Sequence, residues 1–82
     1  MEQGAKSGPV VELSGNRRAV VDGCDGIVDY SEEQVLLRAG KLFLRIEGRS
    51  LRLKRLTVDS AVVEGFLTRV EYTREFPGGK GE

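Results

Sequence analysis

Residues Gly26 to Thr73 read GIVDYSEEQVLLRAGKLFLRIEGRSLRLKRLTVDSAVVEGFLTRVEYT, a train of short Val-, Leu- and Ile-rich pieces broken by glycines and polar pairs. Period-two alternation runs through it. Leu42, Leu44 and Ile46 fall on one face of an extended segment, with Lys41, Phe43, Arg45 and Glu47 on the other. Gln34 to Ala39 and Lys41 to Glu47 flank Gly40, which predicts a hairpin. After an expected turn at Gly48-Arg49, Leu51 and Leu53 continue the alternation. Lys54-Arg55-Leu56 slips it by one residue, as a β-bulge does, and Val58 resumes it. Asp59-Ser60 turns into Ala61 to Glu64. Gly65 then separates this piece from Leu67 to Thr73, and a lone glycine in such a run marks a bulge, a bend or a close backbone approach.

Working outward, Val10 to Leu13 reads as a first strand closed by Ser14-Gly15-Asn16, and Arg18 to Asp22 as a second. Gly23-Cys24-Asp25-Gly26 supplies a turn before Ile27 to Tyr30. Ser31-Glu32-Glu33 has the chemistry of a helix N-cap. No helical period follows, because Val35-Leu36-Leu37 resumes at once, so it reads as a turn. Residues 1–8 and the Gly-rich 76–82 are expected to be a disordered lead and tail around one β domain at 9–75. The expectation is all-β: a meander of seven or eight short strands closing into a roll, barrel or sandwich. The rhythm Leu42-x-Leu44-x-Ile46-x-Gly48-x-x-Leu51-x-Leu53 offers a short β-solenoid as the alternative.

Folding buries only about 60% of the unfolded surface in a chain this small. With one cysteine and no histidine, neither a disulfide nor a structural zinc site can supplement that core. Oligomerisation is the expected supplement. Thirteen bases balance thirteen acids, so no global field draws the chain to nucleic acid or anionic lipid. The local distribution is uneven. Asp22, Asp25, Asp29, Glu32 and Glu33 lie in a stretch without a base, while Arg38 to Arg55 holds seven bases against Glu47 alone. The opening MEQGAKSGPVV lacks a charged region followed by an apolar core, and no apolar run approaches the roughly 20 residues of a membrane span. The expected location is the cytoplasm, with Cys24 reduced.

Catalytic signals are weak. Absence of histidine removes the commonest general base. Cys24 sits between Asp22 and Asp25, which disfavour a thiolate. Asp22, Asp25 and Asp29 lack the alternate ligand positions and terminal glutamate of a calcium loop. Glu32 and Glu33 are adjacent and would diverge on a strand. No catalytic residue, metal site or cofactor is expected. The candidate interaction surface is Phe43, Arg45, Arg49, Arg52, Lys54 and Arg55, with Gly15, Gly26, Gly48 and Gly65 shaping turns and Phe66 a further candidate for an outward aromatic. Cross-strand ion pairs on a solvated sheet are the plainer reading of the same charges.

Four groups of residues then carry a resemblance: Leu13-x-Gly15-Asn16; Gly26-Ile27-x-x-Tyr30-x-x-Glu33; Leu42-x-Leu44-x-Ile46-x-Gly48-x-x-Leu51-x-Leu53-x-x-Leu56; and Val63-x-Gly65-x-Leu67-x-x-Val70-x-Tyr72. Over Glu12 to Thr73 the chain resembles the YabP/YqfC family of small sporulation proteins of endospore-forming Firmicutes. It looks closer to the YqfC branch through Gly15-Asn16 and the Gly26 to Tyr30 group. Cys24-Asp25 and the short hairpin at Gly40 depart from the family's pattern.

The resemblance implies a non-enzymatic mother-cell protein needed for spore development or coat assembly. It also implies a YqfD-type membrane protein as partner, through which the chain would associate with a membrane. Protein–protein contact, as a homo-oligomer or on that partner, is the first expectation. A nucleic-acid or phosphate-binding module using the basic strands 38–55 is the alternative. Its weakness is that Phe43 alone among aromatics lies close to those bases.

Overall fold

A computed structural model of the chain describes residues 9–74. The expected lead and tail lie outside these residues. Six strands make up the described part: β1 (Val10–Ser14), β2 (Arg18–Asp22), β3 (Gly26–Tyr30), β4 (Gln34–Ala39), β5 (Leu42–Leu56) and β6 (Ser60–Thr73). They form one open antiparallel sheet in the order β1-β2-β6-β5-β4-β3. The all-β expectation holds, and the strand count is corrected. Gly48-Arg49 is not a turn and Gly65 does not divide two strands, because β5 and β6 run through both as 15- and 14-residue strands.

These long strands each serve two half-sheets. In the tip half, β6 pairs with β2 of the β1–β2 hairpin, through Arg18↔Glu64 to Asp22↔Ser60. In the base half, β5 pairs with β4 of the β3–β4 hairpin, through Gln34↔Glu47 to Ala39↔Leu42. Between the halves the β5–β6 register shifts at Glu47/Gly48 and at Arg49/Arg52, and Ser50 takes a positive φ of 54°. Bulges bend and twist a ribbon, and here they turn one arm of the sheet over the other. Segment 23–25 shows that the arms meet. Gly23 donates its N–H to the Asp59 carbonyl at the tip (2.8 Å), and Asp25 donates to Arg38 of β4 (2.6 Å). Two residues of chain reach about 7 Å, so the tip of one arm lies beside the other arm.

Apolar alternation fills the space between. Four cross-strand rows lie on the inner face: Val11–Val21–Ala61–Leu56 and Leu13–Ala19–Val63–Leu53 in one arm, Ile27–Leu37–Leu44–Tyr72 and Tyr30–Val35–Ile46–Val70 in the other. The two central members of every row are fully buried. Leu51 and Leu67 close the core at the bend, and Cys24 closes it at the crossing between β2 and β3. No polar or charged residue is buried among the described residues. The rows end at strand edges, on the half-exposed Leu13, Tyr30, Leu56 and Tyr72.

Two corner turns complete the bend in the same way. In the β1–β2 turn the Asn16 and Arg17 carbonyls accept from Leu67 (2.7 Å) and Gly65 (3.0 Å) of β6. In the β3–β4 turn the Glu32 and Glu33 carbonyls accept from Leu51 (2.8 Å) and Gly48 (3.1 Å) of β5. The kinked strands would otherwise leave these donors unpaired where β2 and β4 stop. Ser31 shapes the second turn, its hydroxyl accepting from the N–H groups of Glu33 and Gln34.

Candidate functional site

The six residues expected to form one interaction surface are distributed over three places. Phe43 and Arg45 lie on the outer face of the base half, opposite Thr73 and Glu71. Arg49 lies at the bend, opposite Phe66, and Arg52 lies opposite Glu64. Lys54 and Arg55 flank the register shift near the tip, where Leu53↔Val63 is followed by Arg55↔Val62. They are a sequence neighbourhood divided by a bent strand.

Arg45 is not an available cation. Its Nη2 contacts Glu71 Oε2, and its Nε lies 3.3 Å from Glu47 Oε2, near enough to pair and too poorly angled for a hydrogen bond. Arg69 completes a four-residue network, 3.8 Å from Glu47 and 3.6 Å from Glu71. The Arg45 hydrogen bond, helped by the charges of Arg45 and Arg69, holds the Glu71 carboxyl below its usual range. Leu36 shares a cross-strand row with Arg45 and Glu71 and is buried outside the main core. This network is the solvated-sheet pairing that the plainer reading of the charges describes.

At the bend the arrangement differs. The Phe66 ring is exposed, with the Arg17 guanidinium 4.6 Å and the Arg49 guanidinium 5.9 Å from its centroid. Each such contact is worth about 0.5–1 kcal/mol at an exposed site. Beside it Arg18 lies 3.7 Å from Glu64, whose other cross-strand neighbour is Arg52. The convex bend therefore carries Arg17, Arg18, Arg49 and Arg52 around one aromatic and one acid. Arg17 and Arg18 escaped the sequence reading because they sit some thirty residues from Arg49; the only local signal was a basic pair just after a turn glycine.

Of the turn-shaping glycines, Gly15 lies in the β1–β2 turn with φ of 58°. Gly26 opens β3. Gly48 and Gly65 work inside the long strands, where backbone approaches backbone. On the β5 side an open depression is lined by Tyr30, Glu32, Ser50, Arg52, Leu53 and Lys54, and Leu53 donates its N–H to the Tyr30 hydroxyl (3.2 Å) across it.

Two of the three acids considered for a calcium loop are engaged elsewhere: Asp25 Oδ2 accepts from the Gly40 N–H (2.6 Å) and Asp29 accepts from Gln34 (3.4 Å). Cys24 is 2% exposed, and burial first, then the charges of Asp25, Asp59 and Asp22, push its thiol pKa up. Among the described residues no helix is long and apolar enough to cross a membrane.

No curated protein matches the chain, and no solved structure does. The YabP family model matches residues 6–79, which takes in every strand, both corner turns and the bend. The chain belongs to the YabP family, a membership that suggests a sporulation-related protein.

Proposed function

We propose that this chain is a non-enzymatic assembly protein of spore formation, acting in the mother cell through protein–protein contacts during spore development or coat assembly. The observation that carries this reading is the ending of the four apolar rows. Leu13 on β1, Tyr30 on β3, Leu56 on β5 and Tyr72 on β6 are half-exposed, each on an edge where no further strand pairs among the described residues. A strand edge that offers backbone groups beside apolar side chains is what a partner uses when it extends a sheet. A YqfD-type membrane protein is the proposed partner for such an edge, and would bring the chain to a membrane. The non-enzymatic part of the proposal is supported by chemistry: the raised thiol pKa of Cys24 makes it a poor nucleophile near neutral pH.

The test is genetic and biophysical together. Deleting the gene in its spore-forming host should lower the yield of heat-resistant spores. A Leu56→Glu/Tyr72→Glu variant that accumulates and melts like the native chain should fail to restore it. Normal sporulation in the deletion, or full rescue by that variant, would sink the reading.

A second reading has one observation in its favour. Phe66 between Arg17 and Arg49 pairs an exposed ring with two cations, the combination that single-stranded nucleic acid stacks on. Binding of an oligonucleotide that weakens steeply as salt rises would support it, and salt-independent or absent binding would remove it.

A further inference from the structure

The two corner turns do the same backbone work on opposite sides of the β5–β6 ribbon, and they carry opposite charge. The corner on the β6 side presents Arg17 and Arg18, and the corner on the β5 side presents Glu32 and Glu33. Their separation is three inter-strand spacings, roughly 14 Å. All four residues are exposed.

Their side chains are also incompletely used. Glu32 and Glu33 take part through their backbone carbonyls, and among the described residues their carboxylates make no ion pair or hydrogen bond. Arg17 makes no ion pair there either, and its guanidinium rests over Phe66. Arg18 has a single loose partner, Glu64 at 3.7 Å. This contrasts with the Arg45–Glu71 network, where the fold neutralises its own charges.

We infer that a second copy of this chain is the occupant of these corners, the Arg17-Arg18 corner of one molecule docking on the Glu32-Glu33 corner of the next. The inference rests on the proposed role in protein–protein contact and names one partner for it. Charge complementarity selects the occupant. A corner meeting its own kind would set like charges together, whereas unlike corners satisfy both pairs. Because the corners project from opposite sides of the ribbon, one contact leaves each molecule with a second corner free. The assembly is therefore heterologous and extends head to tail. The Phe66 ring lies beside the basic corner and would border the contact, and Arg49 lies between the corners, over Phe66 on one side and sharing a shallow depression with Glu33 on the other.

Light scattering on the full chain over a range of concentration and salt tests this, using the native protein, Glu32→Gln/Glu33→Gln, Arg17→Gln/Arg18→Gln, and a one-to-one mixture of the two variants. The native chain should exceed its 9.0 kDa monomer mass, grow with concentration and fall back as salt is added. Each variant alone should stay at monomer mass and stay folded by circular dichroism, the glutamate variant melting as the native chain does and the arginine variant somewhat lower, because it gives up the Phe66 contact and the Glu64 pair. The mixture should stop at twice the monomer mass, because each variant keeps one complementary corner. A native chain that is monomeric throughout, variants that assemble as the native chain does, or a mixture that stays monomeric would each overturn the inference. If the chain is monomeric and the strand-edge variant still fails to restore sporulation, the corner contact falls while the assembly role stands.

Discussion

Gly48 of β5 lies so close to the Phe66 carbonyl of β6 that a β-carbon built on it would sit 1.9 Å from that oxygen. The obstruction is backbone, which cannot swing aside, and it stands where the register of the long strands shifts. Gly65 meets the same limit from the other strand: a β-carbon there would come within 2.7 Å of the Ser50 carbonyl oxygen, and its φ is 145°. The bend that folds one arm over the other depends on both.

Replacing Gly48 with alanine is therefore expected to cost about 3 kcal/mol or more, in the range of severe single substitutions. Gly15→Asn is the control: its φ of 58° is positive, open space surrounds it, and asparagine tolerates that conformation. Urea denaturation of the two variants should show a large shift in midpoint for the first and a small one for the second.

Leu44→Ala removes a fully buried side chain from the centre of an inner row and should cost about 2–5 kcal/mol. Tyr72→Ser, at the exposed end of the same row, should leave the chain folded with a much smaller loss. Equal losses at both positions would mean that Tyr72 is covered in solution.

The depressed pKa of Glu71 makes stability depend on acid. The folded chain holds this carboxylate ionised below the pH at which the unfolded chain protonates it, so the unfolded state binds more protons. The contribution is complete above the ordinary glutamate value, about 4.3, and is lost as pH falls through the lower folded value. Thermal melts from pH 7 to pH 2 should show this decline, and Glu71→Gln should flatten part of it.

Cys24 gives the opposite slope at the alkaline end. Its folded pKa is raised by burial, so the unfolded thiol ionises first and stability declines as pH rises beyond about 8.5. A thiol reagent should label the native chain far more slowly than the urea-unfolded chain at pH 7. Labelling at equal rates would show that the crossing between β2 and β3 opens freely.

Much of the fold was legible because strand alternation is a local property. The inner positions Leu44 and Ile46 and the slip at Lys54-Arg55 each follow from residues within a few positions of one another, whereas Gly65 stayed open between a bulge, a bend and a close approach until β5 lay beside it. The Gly48-Arg49 segment misled for a physical reason. A glycine admitted for lack of space between two strands and a glycine admitted for a turn look alike in sequence, and only the partner strand distinguishes them. The basic surface misled for a related one: charge on a strand is visible in sequence, while the acid that cancels it comes from a strand paired later. Glu71 lies 26 residues from Arg45 and takes up its charge.

From the amino-acid order alone came an all-β chain, the turns between its strands and most of its inner face, though with one turn too many at Gly48-Arg49, because backbone sterics and apolar burial act over neighbouring residues. The number of strands, the bend across β5 and β6, and the division of the arginines into paired and unpaired sets came from folding. These depend on which distant segments the sheet brings side by side, and a charge or a missing β-carbon acquires its meaning only from what it then faces.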